Sequence, residues 1–473
     1  MKVLFATGEA RPFAASGGLA DVSASLPRAL RARLVGCRVV MPLYECVPAE
    51  LRADMTFVTS FSVPVSWRRQ YCGVFQAKVD GVIYYLLDNQ YYFKREGMYG
   101  HYDDAERFAF FSRAVLEMLK HVDFVPDVIH CNDWQSALIP VYHTLFYGKE
   151  KPYSEIRTLY TIHNIQYQGI YGMEILGDVF GLPDEARDIV QYGDCINLMK
   201  AGIETANRVN TVSPTYANEL LDPWFSHGMD AILRARSWKL SGILNGIDTN
   251  AYDPATDPYL FAPFSADEPA GKAANKQALQ ERLCLPIKAD VPLIGMVSRL
   301  VSHKGFDLVQ YAFEQLLQDD VQVVVLGSGE WAYETFFREM YQKYPDKFCF
   351  CSGFVPELAQ KIYAASDIFL MPSKSEPCGL SQMVACRYGA VPVVRETGGL
   401  HDSIRDCGDG EGNGFTFKTY NADDMLYAIR RALDLYRRPA EWAAVTDRAM
   451  RSDFSWGRSA NEYIRLYKSL KNS

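Results

Sequence analysis

The chain has 473 residues, of which 48% are hydrophobic and 22% charged, with 33 glycines and 23 prolines. This length predicts two large domains or about three of ordinary size, and the ordinary composition excludes a disordered, collagen-like or disulfide-scaffold protein. The net charge of −8 comes from 57 acidic and 49 basic side chains. Because no basic face is indicated, a nucleic-acid partner is disfavoured, and an anionic ligand would be held by a few placed cations.

The cysteines and the first residues bear on compartment and metal binding. Neither the 11 cysteines nor the 8 histidines show the spacing of zinc ligands, and no CxxC pair occurs. The apolar run in residues 1–12 is too short for the core of a signal peptide, and no stretch reaches the ~20 apolar residues that span a bilayer. We therefore expect a cytoplasmic protein with reduced thiols, no metal site and no membrane segment.

Short apolar runs alternate with loops and amphipathic stretches along the whole chain, as is typical of parallel strands buried on both faces. In the first half a helix is predicted at about residues 21–33. After a break the same pattern begins again, so an α/β protein of two doubly wound lobes is predicted. The predicted strands are residues 2–6, 39–41, 82–87, 127–130, 158–163 and 209–212, then 295–297, 322–326, 367–371 and 391–394.

The boundary between the lobes is predicted near residues 240–248, giving an N-terminal lobe of residues 1–242 and a C-terminal lobe of residues 243–454. The last segment, 455–473, carries large apolar side chains at helical spacing and is predicted to be a docked amphipathic helix. Ligands of doubly wound sheets bind beyond the carboxyl ends of the strands. Polar residues at strand ends are therefore the site candidates, and two facing lobes would place them in the cleft between.

A glycine turn, Ser16-Gly17-Gly18-Leu19-Ala20-Asp21, separates the first strand from its helix. Glycines there let backbone N–H groups approach an anion or a sugar, and the helix N-terminus adds positive potential. A tight turn that needs positive φ explains it equally well. Neither this loop nor any other is GxGxxG, which disfavours a nicotinamide dehydrogenase.

Two polar clusters follow strands of the first lobe, HCNDW at residues 130–134 and TIHNIQYQG at residues 161–169. Their amides, carboxylate and imidazoles suit a polyhydroxy ligand, whose hydroxyls both donate and accept hydrogen bonds. Each histidine alone, His130 or His163, is explained more simply as a support for a neighbouring loop. Two such clusters in one lobe favour a sugar site.

Two cations of the second lobe, Arg299 and Lys304, lie five positions apart on a strand-to-helix loop. In an acidic protein they are candidates for a diphosphate clamp, with a solvated surface pair as the alternative. Glu376, in EPCGL, can orient a sugar, stabilise positive charge at its anomeric carbon, or simply cap a helix. The turn Thr397-Gly398-Gly399-Leu400 is a candidate phosphate or base loop.

The motifs GGLAD, HCNDW, TIHNIQYQG, VSPTYA, ILNGID, SRLVSHKGFDLV, PSKSEPCGLSQM and VVRETGGLHDSI occur in this order. With them the chain closely resembles the bacterial glycogen (starch) synthase family, retaining glucosyltransferases, over both lobes and the terminal segment. The resemblance implies the GT-B fold, two Rossmann-like lobes facing across a cleft, with the terminal helix returning to the first lobe. It also implies transfer of glucose from ADP-glucose to the non-reducing end of an α-1,4-glucan such as glycogen, without a metal or other cofactor.

The resemblance further implies roles for individual residues. Arg299 and Lys304 match the pair that binds the donor's diphosphate, and Glu376 matches the essential carboxylate beside the glucosyl ring. His163 matches the histidine at the C6 side of the sugar, with its carbonyl near the anomeric carbon. Phe354 stands where the family usually has a tyrosine that stacks on adenine. The remaining implied donor-binding residues are Gly17, Gly18, Asp21, Asp133, Asn245, Cys378, Gly379, Leu380, Thr397, Gly398 and Gly399.

One departure concerns the opening loop, where the family usually has a donor-contacting lysine and this chain has Ala15. A charge-assisted hydrogen bond contributes roughly 1.5–3 kcal/mol, which is roughly tenfold to 150-fold in affinity. Arg11 is the nearest cation that could compensate. The departure leaves a non-catalytic or altered-donor glucan-binding relative as the alternative function.

Overall fold

The computed structural model describes residues 1–353 and 355–471. The chain divides into two compact units. The first comprises Met1–Val212, Ala217–Ile243 and the chain from Trp456 onward, and the second comprises Ser213–Tyr216 and Leu244–Ser455.

Strands of the first unit are formed mainly by the continuous apolar runs. They are β1 (Lys2–Ala6), β2 (Gly36–Pro42), β3 (Thr56–Val65), β4 (Arg68–Val79), β5 (Val82–Asp88), β6 (Val128–Asn132), β7 (Arg157–Ile162), β8 (Ile170–Gly172), β9 (Gln191–Tyr192), β10 (Cys195–Asn197), β11 (Arg208–Thr211) and β12 (Leu240–Gly242). The helices of this part of the chain are α1 (Gly18–Arg31), α2 (Ala49–Ala53), α3 (Gln90–Phe93), α4 (Asp104–Met118), α5 (Leu138–Tyr142), α6 (Ile175–Asp178), α7 (Arg187–Val190), α8 (Leu198–Thr205), α9 (Pro214–Glu219) and α10 (Asp230–Ala235).

Nine of these strands form one sheet in the order β12-β11-β7-β6-β1-β2-β5-β4-β3. All neighbours from β12 to β5 are parallel, whereas β4 and β3 continue the edge as an antiparallel hairpin. The strand order reverses between β1 and β6. This switch point is where ligands bind in doubly wound sheets, at the carboxyl ends of the strands.

The second unit repeats the arrangement with six parallel strands. They are β13 (Leu293–Val297), β14 (Gln322–Gly327), β15 (Phe348–Ser352), β16 (Ile368–Met371), β17 (Val391–Arg395) and β18 (Phe415–Phe417), in the order β15-β14-β13-β16-β17-β18. Its helices are α11 (Ala270–Arg282), α12 (Phe306–Leu316), α13 (Trp331–Lys343), α14 (Pro356–Ala365), α15 (Ser381–Arg387), α16 (Gly398–Ser403), α17 (Ala422–Tyr436) and α18 (Pro439–Arg451). Here the order reverses between β13 and β16, so the loops after these strands define the switch point.

The terminal helix α19 (Trp456–Lys471) belongs to the first unit and packs against α1. The hydroxyl of Tyr467 lies 2.8 Å from Nδ1 of the buried His130, and Asn210 Nδ2 donates to the hydroxyl of Tyr463 at 3.1 Å. Arg33 Nε donates to Asn461 Oδ1 at 2.7 Å. Two buried aromatic side chains of the helix, Tyr463 and Tyr467, therefore contact strands β11 and β6 of the first unit.

Candidate active site

The opening glycine loop is held by the buried carboxylate of Glu9, which is 3% exposed. Its Oε2 accepts hydrogen bonds from the backbone N–H of Ser16 at 2.9 Å and from the Ser16 hydroxyl at 2.5 Å. Its Oε1 accepts from the backbone N–H of Gly17 at 3.2 Å. Gly17 has an extended φ of −159°, and an added Cβ on Gly18 would meet open space. The explanation by positive φ therefore fails for Gly17, and the loop leaves room beside the start of α1.

The charged residues beside this loop pair with each other. Arg11 Nε donates to Asp21 Oδ1 at 2.6 Å, and both side chains are about half exposed. Asp21 lies in the first turn of α1, whereas Ala15 is exposed on the loop itself. Arg11, the cation nearest to Ala15 in the sequence, is thus already paired with Asp21, one of the predicted site residues.

The end of β6 presents Asp133 to the loop that follows β7. Asp133 has a φ of +54°, and its Oδ1 accepts from the backbone N–H groups of His163 at 2.7 Å and Asn164 at 3.4 Å. Desolvation raises the pKa of Asp133 to about 7, with the charge of Glu9 adding to the shift and the two hydrogen bonds opposing it. The polar cluster at the switch point therefore contains a carboxyl group that titrates near neutrality.

The imidazole of His163 is neutral and oriented by Asn132. Desolvation lowers the pKa of His163 to about 3. The amide nitrogen of Asn132 donates to the carbonyls of Ala6 and His130, so its Oδ1 faces His163 Nε2 at 2.8 Å as an acceptor. This network assigns the proton to Nε2 of His163 and leaves Nδ1 as an acceptor for a hydroxyl group.

His130, by contrast, is fully buried, with its two ring nitrogens satisfied by Tyr467 and by Thr161 Oγ1. Burial lowers its pKa well below the usual value. It supports the core of the first unit, so the simpler explanation holds for His130.

In the second unit the structure brings together two predicted residues that are 72 positions apart. Lys304 Nζ donates to Glu376 Oε2 at 2.6 Å, and the Ser373 hydroxyl donates to the same oxygen at 3.1 Å. Lys304 ends a short 3-10 helix, Ser302–Lys304, after β13, and Glu376, 6% exposed, follows β16. The next residue, Gly305, has a φ of +80°, and a Cβ there would lie 2.0 Å from the carbonyl oxygen of Pro372. Because glycine has no Cβ, this position permits the close approach of the two loops.

Arg299 also follows β13, and its side chain is exposed. The cation pair predicted from spacing is therefore one exposed arginine and one lysine that is already bonded to the predicted catalytic carboxylate. As an exposed residue after β13, Arg299 is open to an anionic ligand.

The turn that follows β17 contacts the Glu376 loop through backbone atoms. Cβ atoms on Gly398 and Gly399 would lie 2.0 Å from the carbonyl oxygens of Glu376 and Cys378, respectively. The N–H of Gly399 lies 3.1 Å from the Glu376 carbonyl oxygen and 3.2 Å from that of Pro377. Glycine is required at both positions because the two backbones lie too close for a Cβ. Thr397, the N-cap of α16, is fully buried beside them.

The remaining predicted residues surround the same turn. Gly379 has a φ of +69°, and Leu380 precedes α15. Burial raises the pKa of the Cys378 thiol to about 12, which excludes a thiolate nucleophile at neutral pH. Asn245, 6% exposed, contacts Cys378 through its backbone N–H, and among the described residues its Oδ1 has no hydrogen-bond partner. Phe354 lies outside the described residues.

Sequence reasoning missed Glu9 and Ser373. Each is a single polar residue on a loop, and its partners are separated from it by turns whose closure no pattern indicates. Across the described part of the chain, no group of three or more His, Cys, Asp or Glu side chains could hold a metal ion. None of the described helices is long and apolar enough to cross a membrane.

Two family models match the chain, the starch synthase catalytic domain over residues 2–235 and glycosyl transferases group 1 over residues 280–446. The glycogen synthase of Geobacillus thermodenitrificans is 49% identical over 99% of this chain and 98% of its own length. That of Clostridium novyi is 48% identical over 99% of both.

Two solved structures share the architecture. The catalytic domain of starch synthase IV from Arabidopsis thaliana, bound to ADP and acarbose, superposes with a TM-score of 0.90 at 36% identity, covering 100% of this chain and 99% of that one. Sucrose-phosphate synthase from Thermosynechococcus elongatus gives a TM-score of 0.60 at 18% identity over 99% of this chain and 98% of that one, which shows the fold alone.

The two Rossmann-like domains and the matched glycosyltransferase models define an enzyme of the GT-B glycosyltransferase class. The predicted fold class is thereby confirmed. Within that class the chain belongs to the glycogen (starch) synthase family, because curated glycogen synthases match it over nearly its whole length. Nothing in these matches supports the non-catalytic alternative.

Proposed function

We propose that this enzyme transfers glucose from ADP-glucose to the non-reducing end of an α-1,4-glucan such as glycogen, with retention of anomeric configuration, in the cytoplasm. The observation that carries the proposal is the pairing of Lys304 with Glu376 at the switch point of the second unit. The curated glycogen synthases that match over full length support the acceptor, and the ADP-bound starch synthase supports the nucleotide.

The second unit is assigned to the nucleotide-sugar donor, and Arg299 and Lys304 to its diphosphate. As the glycosidic bond breaks, negative charge grows on the departing diphosphate, and placed cations stabilise that charge without reorganisation. The fork of Arg299 suits paired phosphate oxygens, whereas Lys304 acts as a point charge. No metal ion is required in this proposal because these two cations neutralise the leaving group.

Glu376 and His163 are assigned to the sugar. The Glu376 carboxylate, oriented by Lys304 and Ser373, stabilises an oxocarbenium-like glucosyl group while the acceptor hydroxyl attacks from the leaving-group face. In this assignment Nδ1 of the neutral His163 imidazole accepts a hydrogen bond from a sugar hydroxyl. The backbone carbonyl of His163 lies towards the anomeric carbon. The first unit is assigned to the glucan acceptor. The remaining donor contacts are assigned to the opening loop, Asp133, Asn245 and the loop after β17.

A donor panel tests the proposal. ADP-glucose and UDP-glucose, each labelled in the glucose, are incubated with glycogen, and label in the glucan and release of nucleoside diphosphate are measured together. The expected result is stoichiometric transfer from ADP-glucose into α-1,4 linkages that an α-specific glucosidase releases. Preference for UDP-glucose overturns the donor assignment and supports the altered-donor alternative, whereas glucan binding without transfer overturns the catalytic one.

A further inference from the structure

The loops that follow β16 and β17 are tied together by a buried amide. Gln382, in the first turn of α15, has no exposed surface. Its Nε2 lies 3.1 Å from the carbonyl oxygen of Cys378, 3.0 Å from that of Gly379 and 3.0 Å from Ser403 Oγ. One side chain thus contacts both the turn behind Glu376 and the last residue of α16.

The contacts continue from Ser403 back to Glu376. The Ser403 hydroxyl, which accepts from Gln382, donates to the carbonyl of Gly399 at 2.6 Å. The N–H of Gly399 in turn donates to the carbonyl of Glu376 at 3.1 Å. Since every member of this ring is buried or nearly so, a lost hydrogen bond is not replaced by water and the backbone must move.

The orientation of the Gln382 amide is fixed by its neighbours. Three acceptors surround Nε2, which has two hydrogens, and the reversed amide would place its oxygen against the carbonyls of Cys378 and Gly379. Within the described chain, Gln382 Oε1 has no hydrogen-bond partner. The Gln382 side chain therefore serves as a hydrogen-bond donor. Replacing it with a side chain of similar size that has no donor removes these hydrogen bonds and still fills the space.

We propose that Gln382 and Ser403 are a positioning pair, which sets the backbone of Glu376 relative to the Thr397–Gly399 turn and so places the carboxylate for glucosyl transfer. The proposal rests on the proposed function, because the placement matters only to that reaction. Neither residue is assigned a contact with substrate. A displacement of about 1 Å at a reacting group reduces turnover by up to ~10²-fold.

The test compares two buried glutamines of the second unit. Gln280, in α11, also has no exposed surface, donates from Nε2 to the Lys288 carbonyl and to Gln322 Oε1, and has an unpartnered Oε1 within the described residues. Gln382→Met and Gln280→Met should lower the melting temperature to a similar extent. Only Gln382→Met should lower kcat, by about tenfold to a hundredfold, with a smaller change in the KM for ADP-glucose.

Ser403→Ala gives a second, milder variant that keeps the Gln382 bonds to the two carbonyls. It should also lower kcat, and adding it to Gln382→Met should cause little further loss, because both changes break one network. Hydrogen exchange at the Gly399 amide should accelerate in both variants and stay unchanged in Gln280→Met.

Unchanged exchange at Gly399 in both variants overturns the proposal, and so does a kcat that falls equally in Gln280→Met. The exchange measurement needs no substrate, so it decides whether the pair positions this backbone even if the wild-type enzyme fails to use ADP-glucose. Absence of transfer by the wild type, with accelerated exchange in the variants, overturns the proposed function instead.

Discussion

At the scale of single residues, the Lys304–Glu376 pair has the most direct consequence for chemistry. Glu376→Ala should lower kcat by ~10²–10³-fold, the usual effect of removing one preorganised electrostatic group. The fold should persist, because Lys304 is 19% exposed and its ammonium can turn to water. Steady-state kinetics with ADP-glucose and glycogen measure the loss. Glu314→Ala, which removes a half-exposed carboxylate of the same unit, should retain full turnover. A folded Glu376→Ala enzyme with near-wild-type kcat would contradict the role assigned to this carboxylate.

Asp133 predicts a pH dependence of stability. Its pKa is raised from 3.8 to about 7 in the folded protein, so the folded state holds a proton that the unfolded chain releases. The stability contributed by this protonated form is complete below about pH 4 and is lost as the pH rises through about 7. Asp133→Asn has no such titration, and its Oδ1 can still accept from His163. The variant should therefore gain stability relative to the wild type as the pH rises from about 5 to 8.

Denaturant unfolding of both proteins across that pH range measures the difference. His163, whose pKa is lowered to about 3, gives the opposite slope at acid pH. His163 is present in both proteins, so its contribution to the pH dependence cancels when their stabilities are compared. A stability difference that stays constant with pH would show that Asp133 does not titrate in this range.

Ala15 gives a prediction specific to this chain. The loop is held by Glu9 through Ser16 and Gly17, so an exposed side chain added at position 15 leaves those bonds in place. Ala15→Lys should lower the Kd for ADP-glucose about fivefold, or ~1 kcal/mol, since ordering the new side chain offsets part of a charge-assisted bond. Calorimetry measures the affinity.

Arg11→Ala is the companion variant. Because Arg11 is bonded to Asp21, we expect only a small change in donor affinity when it is removed. A large loss for Arg11→Ala together with unchanged or weaker binding by Ala15→Lys would show that Arg11 replaces the missing lysine.

At the scale of elements, the contact between the loops after β16 and β17 predicts the effect of a single methyl group. Gly399→Ala places a Cβ 2.0 Å from the carbonyl oxygen of Cys378. Relief of such an overlap costs about 1–3 kcal/mol, and it moves the Glu376 loop, so both the free energy of unfolding and kcat should fall. Gly177→Ala, at a helical glycine with open space around it, should leave kcat unchanged and should not lower the free energy of unfolding. Full activity in Gly399→Ala would contradict the backbone contact.

The elements also show what the sequence could and could not predict. The central strands were predicted within about three residues because their runs are continuously apolar, as burial on both faces of a parallel sheet requires. The hairpin of β3 and β4 was not predicted, because polar and charged residues such as Arg68, Arg69 and Gln70 interrupt the apolar pattern along β4. Helix α1 begins at Gly18, earlier than the predicted start at residue 21.

The site, too, was predictable only in part. Strand-end polar residues were predictable because the carboxyl ends of parallel strands face the ligand side. The 2.6 Å contact between Lys304 and Glu376, and the loop contacts made by Glu9 and Gln382, depend on how loops from different strands close on each other. Spacing along the chain holds no information on that closure. The roles of the site residues remain predictions that the variants above test.

At the scale of the whole molecule, the chain leaves the first unit, builds the second and returns with α19. In the core of the first unit, α19 is bonded to β6: the Tyr467 hydroxyl and His130 Nδ1 lie 2.8 Å apart, and both side chains are fully buried. The terminal helix is therefore part of the same compact unit as the first residues of the chain, although its sequence follows the second unit.

Tyr467→Phe tests this arrangement with the loss of one oxygen atom. It leaves Nδ1 of a buried neutral imidazole without a partner, which should lower the free energy of unfolding by about 1–3 kcal/mol. Packing of the ring is kept, so the change reports the hydrogen bond. Tyr311→Phe, on α12 with a side chain that is 81% exposed, is the control and should leave stability unchanged. Equilibrium denaturation followed by circular dichroism measures both. Equal stability of Tyr467→Phe and the wild type would show that the hydrogen bond between Tyr467 and His130 adds nothing to the docking of α19.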